Sequence, residues 1–173
     1  AVFWTEPYIF FTTKEPGITA AMRWRAADGS SYVIGHDVRL IDIAEFTNRL
    51  AFSPQGKAAL FLKEGRLIAP PRDPRFADRQ AIAATLLKTP EELDLRELAT
   101  AFQAWQANPE PRHGLHSHRQ DDAQWLSLFR PIKDNTSGIW LGVTAPESDF
   151  VPISRQDVLL LGLIMLSALA LGM

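Results

Sequence analysis

Three histidines stand within six residues, His113, His116 and His118, and Asp121 and Asp122 follow closely. Neutral imidazoles bind zinc, copper or nickel, and carboxylates can complete such a set. This cluster gives the chain its one stretch of metal-ligand character. Its setting argues against a metal centre, because Pro109, Pro111, Arg112 and Gly114 surround it. It also lacks the two-histidine helical spacing of a zinc hydrolase. The composition predicts a solvated loop with no structural metal. A metal-responsive or metallohydrolase domain using His113, His116 and His118 is the alternative.

No other chemistry is concentrated. The chain has no G-x-S-x-G elbow, no phosphate-binding loop and no G-x-G-x-x-G fingerprint. The acidic residues are scattered and form no obvious catalytic pair, so the segment does not read as an enzyme and calls for no cofactor. With no cysteine there are no disulfides, thiolate nucleophiles or zinc-thiolate sites. A net charge of −2 offers no basic field for nucleic acid. The 173 residues, 46% hydrophobic, can bury one core or two small ones.

The elements that must position any site follow from periodicity. Ile18, Ala20, Met22 and Trp24 alternate with Thr19, Ala21, Arg23 and Arg25, the period-2 pattern of a half-buried strand. Ala27-Asp28-Gly29-Ser30 is a turn and Tyr32 to Val38 a second strand, so residues 18–38 read as an antiparallel hairpin. Ile9 to Thr13 reads as another strand. Ile43, Phe46 and Leu50 mark one face of a short amphipathic helix.

Ser53-Pro54-Gln55-Gly56 breaks that pattern. Strands are expected over Lys57–Leu62 and Arg66–Ala69, turning at Glu64-Gly65. Helices are expected over Asp78–Leu87 and from Thr89 onward. Thr89, Pro90 and Glu92 make a capping box, and Leu95, Leu98, Phe102 and Trp105 share a face. Strands over Gln124–Arg130 and Ile139–Thr144 complete the set. Hairpins on both sides of a helical connection imply an α+β domain with antiparallel sheets.

The sixteen residues Val158 to Met173 carry no charge and are expected to form part of a transmembrane helix, slightly short of the usual length of about 20. Arg155 is the one basic residue between Thr144 and Asp157, which favours a non-cytoplasmic side for what precedes the run. The start at Ala1, without Met or a signal peptide, reads as an internal piece of a longer membrane protein.

Several segments together resemble a known family. Trp4-Thr5-Glu6-Pro7-Tyr8, the strand pair, and then Val33-Ile34-Gly35-His36-Asp37-Val38-Arg39-Leu40 resemble the double Cache (dCache) sensors. These are PAS-like extracytoplasmic domains of bacterial chemoreceptors, histidine kinases and diguanylate cyclases. Lys57 to Pro70 looks like the first hairpin of their membrane-proximal module. Gly138 to Val143 with Pro146-Glu147-Ser148-Asp149 looks like the strand that leads to their second membrane span.

The resemblance implies PAS-like antiparallel sheets with flanking helices, followed by a C-terminal transmembrane helix. It divides the chain into the second half of a distal module (1–52), a proximal module (53–150), and a juxtamembrane segment with the start of the span (151–173). It implies a small-molecule sensor in the inner membrane, its sensing part periplasmic, that transmits ligand occupancy across the bilayer. The implied partners are a small ligand (an amino acid, amine or organic acid), membrane lipid and a second copy of the chain. In amine-binding members a Tyr and an Asp at the positions of Tyr8 and Asp37 contact the ligand. A carboxylate suits an ammonium group, and a phenol adds a hydrogen bond or a cation–π contact. Trp24 and Arg23 are further candidates for the pocket wall. His36 alternates to the face opposite Asp37 and is expected to be structural. The family's carboxylate-clamping Arg and Trp-Tyr pair fall upstream of Ala1.

Overall fold

The structure, a computed structural model, describes residues 2–108, 114–132 and 138–150. The apolar run 158–173 and His113 lie outside the described residues, as does most of the 133–138 turn.

Alternation builds the first sheet as expected. Strands β3 (Pro16–Arg25) and β4 (Ser31–Arg39) form one long antiparallel hairpin, in register from Gly17↔Arg39 to Arg25↔Ser31. The turn works because Gly29 takes φ +87°, which suits a residue without Cβ, and Asp28 Oδ1 accepts the Ser30 amide at 2.9 Å. Two short strands, β1 (Val2–Trp4) and β2 (Tyr8–Ile9), share the other edge of β3. Thr5 spans the gap between them. Its amide donates to the Thr19 carbonyl at 3.0 Å, and its hydroxyl accepts the Thr19 amide at 2.9 Å.

The strand expected through Thr13 stops at Ile9. Phe10 and Lys14 close a turn, with Lys14 at φ 59°, and the Phe10 ring fills the space that a side chain on Gly17 would need. That aromatic anchor over a glycine favours turning back over extension.

Helix α1 (Leu40–Asn48) begins where β4 ends. It buries Leu40, Ile41, Ala44 and Thr47, whereas Phe46 is 65% and Leu50 38% exposed. Of the face expected from Ile43, Phe46 and Leu50, Ile43 packs against both cores while Phe46 and Leu50 stay exposed. Both sets satisfy helical spacing, and contact with β5 and β6 turns the helix toward Leu40, Ile41 and Ala44.

The second sheet has the order β6-β5-β9-β8-β7, antiparallel throughout. Its strands are β5 (Lys57–Leu62), β6 (Leu67–Ala69), β7 (Leu115–Gln120), β8 (Ala123–Pro131) and β9 (Ile139–Pro146). Helix α2 is short (Arg79–Ala83) and capped by Asp78, whose Oδ1 accepts the Ala81 amide at 2.8 Å. The helix expected to reach Leu87 ends early because Leu87, at φ 62°, hydrogen-bonds to Leu67 on β6 instead.

The capping box at Thr89 forms: the Thr89 amide donates to Glu92 Oε2 at 2.7 Å, and the Glu92 amide to Thr89 Oγ1 at 3.3 Å. It closes a single turn only. Asp94 takes φ 50°, and helix α3 (Arg96–Ala107) starts beyond it. Leu95, Leu98, Phe102 and Trp105 are all buried, as their spacing implied. Phe102 and Trp105 join Phe61, Phe129 and Trp140 in one aromatic cluster with ring centroids 4.9–6.0 Å apart.

No strand pairing joins the two sheets among the described residues. They meet through a cluster of Ile18, Leu40, Ile68 and Ile139, while Ile41 and Ala44 of α1 enter the core of the second sheet. Helix α1 thus belongs to both.

Candidate functional site

The register of the first sheet brings distant residues to one face. Thr19 pairs with Asp37 and Tyr8 with Gly17, so Tyr8, Thr19 and Asp37 point the same way from three neighbouring strands. They form a continuous chain: Tyr8 Oη lies 2.6 Å from Thr19 Oγ1, and Thr19 Oγ1 donates to Asp37 Oδ1 at 2.6 Å. Tyr8 is 43% exposed and Asp37 is exposed as well.

Arg39 shares this face but is turned to other partners. Its guanidinium donates to Asp42 at 2.9 and 3.0 Å and reaches Glu15 at 3.4 Å. Hydrogen bonds to the Asp42 carboxylate, with the Coulombic pull behind them, hold the Arg39 pKa above its ordinary value. Among the described residues no cation pairs with Asp37.

Beyond Asp37 the face continues over Ala21 and Gly35, with the exposed Phe3 of β1 beside Ala21, to Arg23. Arg23 Nη2 donates to Ser31 Oγ at 3.0 Å. Thr19 and Arg23 are four residues apart, about 13 Å along the strand. The face therefore has an acidic end, an apolar middle and a basic end.

The structure joins Tyr8 and Asp37 through Thr19, keeps Arg23 on the same face about 13 Å along the strand, and leaves Trp24 off that face. Trp24 lies on the opposite face, stacked on Tyr32 with centroids 5.4 Å apart. Strand alternation at Arg23-Trp24 already carried that signal. His36 pairs with Ala20 on the face away from Asp37. Thr19 was missed as a site residue; its one sequence signal was a polar position facing away from Ile18 and Ala20.

His116 and His118 do not lie in a solvated loop. Leu115–Gln120 is the edge strand β7, paired along its length with β8, and His118 is only 8% exposed. The flanking Pro, Gly and Arg residues obscured a strand whose polar residues face inward beneath α3. His118 Nδ1 lies 3.1 Å from Ser127 Oγ, which lies 3.2 Å from Thr144 Oγ1. Burial, the dominant cause, holds the His118 imidazole below the ordinary histidine range. The Glu97 backbone works the other way, though no hydrogen bond of normal geometry closes there. Among the described residues no three His, Cys, Asp or Glu side chains converge on one point.

Nearby, Lys57 Nζ lies 3.6 Å from Glu97 and 3.8 Å from Asp73. Hydrogen bonds from Arg75 keep the Asp73 carboxyl below the usual carboxylate range. A polar depression outside α3, lined by Glu91, Asp94, Arg96, Thr100, Gln103 and Gln120, has its polar groups bonded to one another.

No family model matches the chain. Solved structures do. The ligand-binding domain of the Pseudomonas fluorescens chemoreceptor CtaA in complex with L-isoleucine aligns at TM-score 0.53 and 19% identity, over 88% of this chain and 55% of that one. The sensory domain of the Campylobacter jejuni chemoreceptor Tlp3 with isoleucine bound aligns at TM-score 0.54 and 14% identity, over 85% and 49%. The chain has the Cache-type fold of chemoreceptor ligand-binding domains. It spans about half the length of the domains it matches. Within this Cache-type fold, the exposed Tyr8–Thr19–Asp37 chain belongs to the first sheet and the buried Thr144–Ser127–His118 chain to the second.

Proposed function

We propose that this chain is part of an extracytoplasmic sensor domain of a transmembrane receptor, and that it binds a small molecule bearing an ammonium group on the open face of its first sheet. The carrying observation is the Tyr8–Thr19–Asp37 chain: three side chains from three strands, bonded to one another, exposed, and ending in a carboxylate that no cation pairs with among the described residues. An ammonium group would meet an acceptor-rich end at Asp37 and Tyr8, and Arg23 is placed to meet an anionic group of a longer ligand. The solved domains of this fold include complexes with L-serine and L-isoleucine, which supports an amino acid or related amine here.

In this reading residues 1–52 belong to a membrane-distal unit, 53–150 form the membrane-proximal unit, and 158–173 enter the membrane. Ligand occupancy would pass from β4 into α1, whose Ile41 and Ala44 sit in the second core, and then through β9 toward the membrane. The ligand can drive this only through a difference in affinity for two conformers.

A thermal-shift screen of amino acids, amines and organic acids against the receptor ectodomain, followed by calorimetry, tests the reading. Asp37→Ala should weaken an amine hit roughly ten- to a hundredfold. If a ligand binds and neither Asp37→Ala nor Tyr8→Phe changes its affinity by more than about twofold, the site lies elsewhere.

A further inference from the structure

A threonine hydroxyl has one proton. Thr19 gives that proton to Asp37 Oδ1 at 2.6 Å, so the 2.6 Å contact with Tyr8 can be a hydrogen bond only if Tyr8 donates. The direction along the chain is therefore set: Tyr8 O–H to Thr19, Thr19 O–H to Asp37. Every proton these three side chains possess is used internally. What they have left over is acceptor capacity, on the phenolic oxygen of Tyr8 and on Asp37 Oδ2, neither of which has another hydrogen-bond partner among the described residues.

We propose that Thr19 is the positioning residue of this site, and that it makes the site selective for ligand heads with several N–H donors over N-alkylated ones. The proposal rests on the amine reading above and adds what that reading lacks, a physical basis for choosing among amines. Thr19 holds Asp37 in one orientation and keeps the Tyr8 proton turned inward, so that two fixed acceptors face outward. A primary ammonium can donate to both. A trimethylated head keeps the positive charge but has no N–H, so it leaves both acceptors unmatched. Without the Thr19 hydroxyl, Asp37 is free to rotate and the Tyr8 proton can turn outward, where it would oppose a cation. Thr19 lies mid-sheet, anchored by its own backbone bonds to Thr5, so removing its hydroxyl leaves the strand pairing intact.

The test uses L-isoleucine and L-serine with their N-methyl, N,N-dimethyl and N,N,N-trimethyl derivatives, titrated by calorimetry into the receptor ectodomain. The variants are Thr19→Val, which has nearly the same shape without the hydroxyl, and Thr19→Ser, which keeps it. In the parent protein the trimethyl compound is expected to bind at least about tenfold more weakly than the free amino acid. Thr19→Val should weaken the free amino acid about three- to tenfold and narrow that preference, while Thr19→Ser stays within about twofold. Crystal structures of the two variants supply a readout that needs no ligand: Asp37 should leave its present rotamer in Thr19→Val and keep it in Thr19→Ser. If the amino acids bind and Thr19→Val neither weakens them nor narrows the preference, the role of Thr19 is overturned and the amine site stands. If no amine binds yet Asp37 is released in Thr19→Val, the amine reading and the selectivity fall together, and only the orienting contact remains. An unchanged Asp37 in Thr19→Val overturns the proposal by itself.

Discussion

The two sheets carry the same device in opposite surroundings. On the first, Tyr8, Thr19 and Asp37 link strands β2, β3 and β4; on the second, Thr144, Ser127 and His118 link β9, β8 and β7. Each chain contains one directly opposed pair, Thr19↔Asp37 or Ser127↔Thr144, and one diagonal step to the third strand. Each has a hydroxyl at its centre and an ionisable group at one end. Helix α3 covers the second sheet and, among the described residues, nothing covers the same face of the first. Under a cover, an unmade hydrogen bond is costly, and the His118 Nε2 atom has no partner among the described residues. In the open, a polar chain's spare acceptors are available to a ligand. Among the described residues, burial distinguishes the two chains.

The sharpest way to break the contrast is to remove the cover. Trp105 packs against Phe129 and Trp140 at 5.0 and 4.9 Å and is 9% exposed. Trp105→Ala should cost about 3–5 kcal/mol in chemical denaturation and expose the second chain to solvent. A smaller loss is expected from Ser127→Ala, which leaves His118 and Thr144 without their shared partner in a dry setting. Denaturation should show about 1–3 kcal/mol, whereas Thr19→Val on the open sheet should shift the midpoint far less.

Acid should distinguish the chains next. The folded-state pKa of His118 lies below its unfolded value, so the unfolded chain takes up the proton first as pH falls. Stability from the neutral imidazole is complete above the ordinary histidine range, declines as pH drops below about 6.5, and is gone once pH passes through the lowered folded value. A melting series from pH 7.5 to 5 should show this decline, and His118→Gln should flatten it. A slope unchanged by that substitution would mean that another group governs the acid limb. The smallest effect on stability belongs to Asp37→Ala, which should leave the melting temperature within about 2 °C while weakening amine binding roughly ten- to a hundredfold. A large drop in melting temperature would mean that the exposed chain, like its buried counterpart, supports the fold.

Part of this was legible in the sequence because local rules suffice for it. The β3–β4 hairpin followed from alternation and the Asp28-Gly29 turn, and that alternation placed His36 opposite Asp37. The buried face of α3 followed from the spacing of Leu95, Leu98, Phe102 and Trp105. Other features defeated local rules. The capping box at Thr89 has the hydrogen bonds expected of it, yet Asp94 in the left-handed region ends that turn before α3 begins. Strand β7 was hidden by its polar residues, because inward-facing histidines and glutamine read as solvated until a helix covers them.

Periodicity, turn chemistry and capping are properties of neighbouring residues, and by themselves they determined the β3–β4 hairpin, strands β5, β6, β8 and β9, most of the helices and the α+β class. Which face of α1 is buried, why His118 is enclosed while Asp37 is exposed, and how Tyr8 reaches Asp37 through Thr19 were decided by tertiary structure alone. These depend on contacts between residues far apart in the chain, where strand register and the placement of one helix determine which polar groups keep access to water.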